Sequence, residues 1–290
     1  MDPATWLPFL HQLADRADEI AGGFFKAKGL RVEEKPDSSP VTEADRAIEA
    51  MARALVRERH PTLGICGEEQ GEAAGAGDAR LIIDPIDGTR NFVRGIPVFG
   101  SLLAIEAAGE VVAGVVSAPA LHARWHAARG HGAFGNGRRV QVSGIRELAQ
   151  ACLFHGNLGP GEGGPPPGIL ALIRRVERTR GFGDFYQHML VAEGGGEIAV
   201  DPAMHPWDIA AVQVIVEEAG GRATSLAGER SIYAGSLLTS NGGLHDLAGD
   251  KPLLNALQTV PVFANHPQHR FAIDRIASER PDDFGDLGAR

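Results

Sequence analysis

Cysteine is almost missing from this chain: Cys66 and Cys152 are the two present, far apart and in no metal-ligand spacing. That excludes a disulfide-stapled scaffold and a thiolate metal site, and it points to a reducing compartment. Long apolar runs are missing too. No stretch approaches the roughly 18 apolar residues needed to span a bilayer. The opening Met-Asp-Pro-Ala-Thr-Trp has no basic region followed by an apolar core, so the expectation is a cytoplasmic protein without a membrane partner. Basic residues are in deficit, 28 Lys and Arg against 37 Asp and Glu, for a formal net charge of −9. Binding a nucleic-acid backbone or an anionic bilayer needs a basic footprint, so neither is expected as a partner. An acidic chain can still bind phosphate where metal ions supply positive charge locally. With 43% apolar and 22% charged residues, the chain has the composition of a globular protein with a sizeable core.

What the chain does have is acids set just after short apolar runs. Leu81-Ile82-Ile83 leads directly into Asp84-Pro85-Ile86-Asp87-Gly88-Thr89. Pro85 cannot donate to a central strand ladder and Gly88 permits a tight turn, so these acids are expected at a strand-to-loop exit rather than within a sheet. Glu68 and Glu69 follow Leu63-Gly-Ile-Cys66-Gly67, and Asp208 follows Trp207. All-oxygen donor sets favour Mg²⁺, Mn²⁺ or Ca²⁺, and sites that leave room for water and substrate oxygens favour Mg²⁺ acting on phosphates.

Several of these residues have plainer readings. Asp is common where strands end. Thr42-Glu-Ala-Asp45 fits a helix capping box, and Thr89 after Gly88 fits a helix N-cap. The second of these is compatible with function, because a helix opening there points the Gly88 and Thr89 N–H groups at an incoming phosphate. His188 on an apolar helical face and His205 before Pro206 show no metal-site pairing, and core or surface roles suit them better. The glycines from 130 to 137 lack a strand-to-helix context for a nucleotide loop, and a wide hairpin turn accounts for them.

Apolar residues from Trp6 to Phe24 recur at three- and four-residue steps, predicting a first helix that ends at Gly29. A second helix is expected from about Thr42 to His60-Pro61. Strands are expected at 101–107 and 111–117, paired as a hairpin, and a strand-turn-strand stretch from Arg124 to Val142. A Gly/Pro stretch at 158–168 reads as a surface excursion. Helices near 169–177, 184–193, 207–219 and 244–257 then alternate with strands near 180–183, 197–200 and 233–239. This pattern predicts stacked α/β layers.

Taken in order, Gly67-Glu68-Glu69, Asp84-Pro-Ile-Asp87-Gly-Thr89 and Trp207-Asp208 resemble the signature of the inositol monophosphatase superfamily of Mg²⁺-dependent, lithium-sensitive phosphatases. Lys35-Pro-Asp37-Ser-Ser-Pro-Val41-Thr42-Glu-Ala-Asp45 resembles a further family segment. The resemblance covers about residues 5 to 258. Asp87 to Pro97 and Gly181 to Gly194 look most like its histidinol-phosphate phosphatase branch. It implies an αβαβα sandwich of α/β (α+β) class, with an N-terminal half at 1–145, a C-terminal half at 146–259 and an extension at 260–290 whose role is unread. It also implies hydrolysis of a small phosphomonoester by metal-activated water. Glu68, Asp84, the Ile86 carbonyl, Asp87 and Asp208 would hold two or three Mg²⁺, with Asp45 and Thr89 orienting the water. Gly88 and Thr89 would bind phosphate, and a homodimer is expected.

For the substrate, the resemblance directs attention to Asp184, Asp201 and Arg90. Asp201 stands seven residues before Asp208, where inositol phosphatases place an acid that binds hydroxyls. Asp184 matches a position that is usually small and apolar in those enzymes. Two acids there suit the ammonium and imidazole of histidinol phosphate, although a helix N-cap is the plain reading of Asp184. Inositol-1-phosphate remains an alternative. Bisphosphate nucleotidase and fructose-bisphosphatase are weaker ones, since no Lys/Arg cluster for a second phosphate is evident. A non-catalytic divalent-metal module would keep the acids but need neither Thr89 nor Asp45.

Overall fold

Helix α1 (Leu7–Phe24) buries Phe9, Leu10, Leu13, Ala14, Ala17 and Ala21 along one stripe. It stops five residues before the expected Gly29, because Phe25 takes an extended ψ of 121°. The structure, a computed structural model, describes residues 2–35, 39–157 and 167–248. Most of the expected Gly/Pro excursion, the end of the last expected helix and the 260–290 extension lie outside the described residues. So do Pro36, Asp37 and Ser38.

After α1 come a short ribbon of β1 (Val32–Glu34) and β2 (Pro40–Thr42), then α2 (Glu43–Arg59). The strands that follow are β3 (Gly64–Gly67), β4 (Gly71–Ala73), β5 (Ala79–Asp87), β6 (Gly100–Ala107), β7 (Glu110–Ala118), β8 (Ala123–Ala128), β9 (Gly132–Gly135) and β10 (Arg138–Val140), with the short helix α3 (Thr89–Arg94) after β5. They form an eight-stranded sheet in the order β10-β9-β8-β7-β6-β5-β3-β4. The expected β6–β7 hairpin is present. The glycines from 130 to 137 are not one wide turn. They contain β9, because Ala133 packs into the core and Phe134 stacks on His126 across the β8 register.

The second half contributes β11 (Cys152–His155), α4 (Pro167–Ile173), β12 (Arg178–Gly181), α5 (Asp184–Ala192), β13 (Ile198–Asp201), α6 (Pro206–Glu218), β14 (Arg222–Thr224), β15 (Leu237–Ser240) and α7 (His245–Ala248). Its sheet runs β12-β11-β13-β15-β14, with β11 parallel to both neighbours. Helices α1 and α2 cover one face of the large sheet, α5 and α6 lie between the two sheets, and α4 and α7 cover the outer face of the smaller one. This is the expected αβαβα sandwich. Its position explains α6: every residue from Ile209 to Val216 is buried, as an interior helix facing sheets on both sides requires.

One departure shapes the site. Strand β5 continues through Pro85 to Asp87 rather than ending before the acids. Its pairing with β3 ends at Gly67↔Ile83, so the N–H that Pro85 lacks has no ladder to serve on that side. Toward β6 the register shifts between Asp84↔Leu102 and Asp87↔Gly100, a bulge of one residue. In a regular strand, residues three apart point to opposite faces. The extra residue resets that alternation and lets Asp84 and Asp87 face one cleft.

Candidate active site

A cleft of about 340 Å³ opens at the end of β5, with Lys35, Glu68, Asp84, Asp87, Thr89 and Asp208 in its lining. One carboxylate oxygen from each of Asp84, Asp87 and Asp208 lies within 4.8 Å of the others. Asp208 comes from the first turn of α6, where its Oδ2 accepts the His205 N–H at 2.7 Å. Sequence separation between the acids thus ends in direct proximity. Burial, then the charges of Glu68, Asp87 and Asp208, push the Asp84 carboxyl well above its usual range. Asp87 is raised by burial and by Asp184, against a hydrogen bond from Phe185 that lowers it. Burial also carries Asp208 up to about 7, and Glu68 adds to the shift.

Three crowded carboxylates with hard oxygen donors are the environment of a divalent cation. Asp84 Oδ1 is buried with no hydrogen-bond partner among the described residues, as an atom reserved for a metal would be. The donor set therefore fits a hard metal ion. Glu68 lines the same cleft but lies outside the close triad, and its Oε1 accepts from Lys35 Nζ at 2.7 Å. Lys35 also donates to Glu69 at 2.6 Å. Burial opposes its charge, yet these two carboxylates raise its pKa overall. The Ile86 carbonyl accepts the Thr89 hydroxyl at 2.8 Å.

Asp45 serves two purposes. Its Oδ2 accepts the Thr42 N–H at 2.8 Å and closes the expected capping box at the start of α2. Its Oδ1 lies 3.4 Å from Thr89 Oγ1. The capping and functional readings therefore use different oxygens of one fully buried carboxyl, which burial raises to about 6. Thr89 is the first helical residue of α3 and Gly88 is the N-cap, with a left-handed φ of 79° that a glycine takes without strain.

The acids expected to choose the substrate lie just beyond the cleft lining. Asp184 opens α5 after the N-cap Gly183, so it is not itself the cap. Its Oδ2 accepts from Asn91 Nδ2 at 3.0 Å. Asp201 ends β13 and accepts from Gln187 and, at 3.3 Å, His188. Burial first and the Asp201 charge second raise Asp184 to about 6. Arg90 is exposed on α3 and does not line the cleft.

Sequence reasoning missed the groups that hold these acids in place. Glu49 is fully buried on α2. It pairs with Arg53 at 2.7 Å and accepts the backbone N–H groups of Glu69 at 2.7 Å and Gln70 at 3.1 Å. It fixes the turn that carries Glu68. A Cβ on Gly67 would fall 2.3 Å from Glu49 Oε1, which is why glycine precedes the glutamate pair. The only local signal was an acid one helical turn after Asp45.

An αβαβα sandwich with an all-oxygen acidic cleft at a bulged strand end defines a phosphomonoesterase of the metal-dependent kind. The chain belongs to the inositol monophosphatase family, whose family model matches residues 2–258. Enzymes of this family are metal-dependent. The chain is 46% identical to a histidinol-phosphatase of Mycobacterium tuberculosis, an alignment covering 81% of this chain and 92% of that protein. It is 45% identical to a histidinol-phosphatase of Streptomyces coelicolor, over 83% and 94% respectively. Among solved structures, a Thermotoga maritima IMPase superposes with a TM-score of 0.78 at 34% identity, covering 87% of this chain and 97% of that one.

Proposed function

We propose that this phosphatase hydrolyses histidinol phosphate to histidinol and phosphate, using Mg²⁺. The observation that carries the substrate reading is the proximity of two acids, Asp184 and Asp201, just beyond the cleft lining. The hydrogen bonds described to these acids come from Asn91, Gln187 and His188, none of them a permanent cation. A substrate bearing an ammonium and an imidazole would bring the missing charge. The two histidinol-phosphatases similar to this chain support the same reading.

Glu68, Asp84, the Ile86 carbonyl, Asp87 and Asp208 would hold two or three Mg²⁺. Bound there, Mg²⁺ neutralises phosphate charge and makes water a better nucleophile. Asp45 Oδ1 is the oxygen left to accept a proton through Thr89, since Oδ2 is committed to Thr42. The Gly88 and Thr89 N–H groups would receive phosphate oxygens, and Asp184 and Asp201 the cationic end. Arg90 would act from the rim. In this reading residues 1–145 carry most of the chemistry, and 146–259 carry Asp208 and the selection of substrate. A cytoplasmic homodimer accompanies it.

A phosphate-release panel tests this directly. Histidinol phosphate should give the highest kcat/KM among histidinol phosphate, inositol-1-phosphate, fructose-1,6-bisphosphate and adenosine bisphosphate. Preference for inositol-1-phosphate would overturn the substrate reading and leave the phosphatase assignment standing.

A further inference from the structure

Resting on that substrate reading, we propose that His188 is a positioning residue for Asp201, and through it a determinant of which phosphomonoester is accepted. His188 is fully buried on α5, on the apolar helical face where the sequence suggested a core or surface role. Its two ring nitrogens have different partners. Nδ1 lies 2.7 Å from Thr239 Oγ1 on β15, and Nε2 lies 3.3 Å from Asp201 Oδ2. A proton on Nε2 would let the ring donate to Asp201 while Nδ1 accepts from the threonine hydroxyl, and the Gln187 amide nitrogen lies 3.5 Å from the same Nε2. The ring plane is thereby held from both sides, by β15 through Thr239 and by β13 through Asp201.

Gln187, the preceding residue, donates Nε2 to the same Asp201 Oδ2, and contacts the Val200 carbonyl at 3.4 Å. One oxygen of Asp201 is therefore committed twice. The other, Oδ1, faces Gly156: a Cβ added there would fall 2.7 Å from it. A Cβ on Gly183 would in turn meet the Gly156 Cα at 3.4 Å, and Asp184 is the next residue. The glycine at 156 thus leaves room in front of Oδ1, on the side where α5 begins. The terminal torsion of an aspartate is soft, with broad and nearly equivalent orientations. Binding the carboxylate by one edge removes that freedom before substrate arrives, and pre-organisation of this kind lowers KM rather than raising kcat.

The test is a double-mutant cycle of His188→Leu and Asp201→Ala, with steady-state kinetics on histidinol phosphate and on p-nitrophenyl phosphate. His188→Leu should raise KM for histidinol phosphate by roughly fivefold to tenfold while aryl phosphate hydrolysis stays within about twofold, and it should add nothing in the Asp201→Ala background. Additive losses, or equal losses on both substrates, would show a merely structural histidine and overturn the proposal. If the wild-type enzyme instead prefers inositol-1-phosphate, the substrate reading fails, and the cycle is run on that ester, where a KM rise that vanishes in the Asp201→Ala background supports positioning and additive losses overturn it. Should His188→Leu melt early or not fold, Thr239→Val removes the contact on the other nitrogen and keeps the ring. It should give a smaller KM rise that also vanishes in the Asp201→Ala background, and an unchanged KM would count against the proposal.

Discussion

The backbone N–H of Phe185 donates to Asp87 Oδ2 at 2.6 Å. This bond joins the first turn of α5 to a carboxylate at the end of β5, across 98 residues of sequence. The position of Asp184, one residue earlier, is therefore set relative to the acidic cleft by a short charge-assisted contact. The residue expected to choose the substrate and a residue expected to hold metal share one rigid point.

That bond decides which variant tests substrate choice cleanly. Asp184 has a φ of 51°, a left-handed conformation that Asn adopts at lower cost than Ala. Asp184→Asn should lower kcat/KM for histidinol phosphate by roughly tenfold to a hundredfold, the cost of one charge-assisted contact, and leave aryl phosphate hydrolysis nearly unchanged. Equal losses on both substrates would assign Asp184 to fold or metal support instead.

Activity should require Mg²⁺ and be inhibited by lithium and by Ca²⁺. The donor set has no soft atom, and Ca²⁺ accepts looser geometry than Mg²⁺. Full turnover in excess EDTA would contradict this.

Asp87→Asn and Asp208→Asn should each fold and lose most activity. In the metal-free protein both should melt at or above wild type, since each removes a like charge from a buried cluster while an amide oxygen can still accept from Phe185 or His205. Wild-type kcat at saturating Mg²⁺ in either variant would refute its role as a ligand.

The same cluster predicts a pH dependence. Asp208 is raised from 3.8 to about 7 by burial, so the folded metal-free protein holds protons there that the unfolded chain has released. That contribution to stability falls as pH rises from about 4 to about 7. Mg²⁺ binds the ionised carboxylates, so the rise in Tm it produces should grow from pH 5 to pH 8. Thermal melts with and without Mg²⁺ check this, and a shift independent of pH would count against it.

Thr89→Val keeps shape and removes the hydroxyl between Asp45 and the Ile86 carbonyl. Loss of positioned proton transfer should lower kcat by roughly 10² to 10⁴. A variant with wild-type kcat and reduced Tm would make Thr89 a structural residue only.

Local patterns were legible in the sequence. The apolar period of α1, the Thr42–Asp45 capping box, the β6–β7 hairpin and the acid set around Asp84-Pro-Ile-Asp87-Gly-Thr89 all follow from spacing within a few residues, because helix and strand periods and turn chemistry act over that range. Resemblance to the family supplied the grouping of Glu68 and Asp208 with that set. What only the tertiary structure decided lies in register and long-range contact. Pro85 sits inside β5 because β3 has already ended beside it, and the resulting bulge turns both aspartates to one side. Glu49 reaches the Glu69 N–H across 20 residues, Lys35 reaches Glu68 across 33, and His188 meets Thr239 across 51. Such partners have no periodic trace along the chain, since which side chains meet depends on how whole sheets and helices stack, and that is settled by burial of the core as a whole.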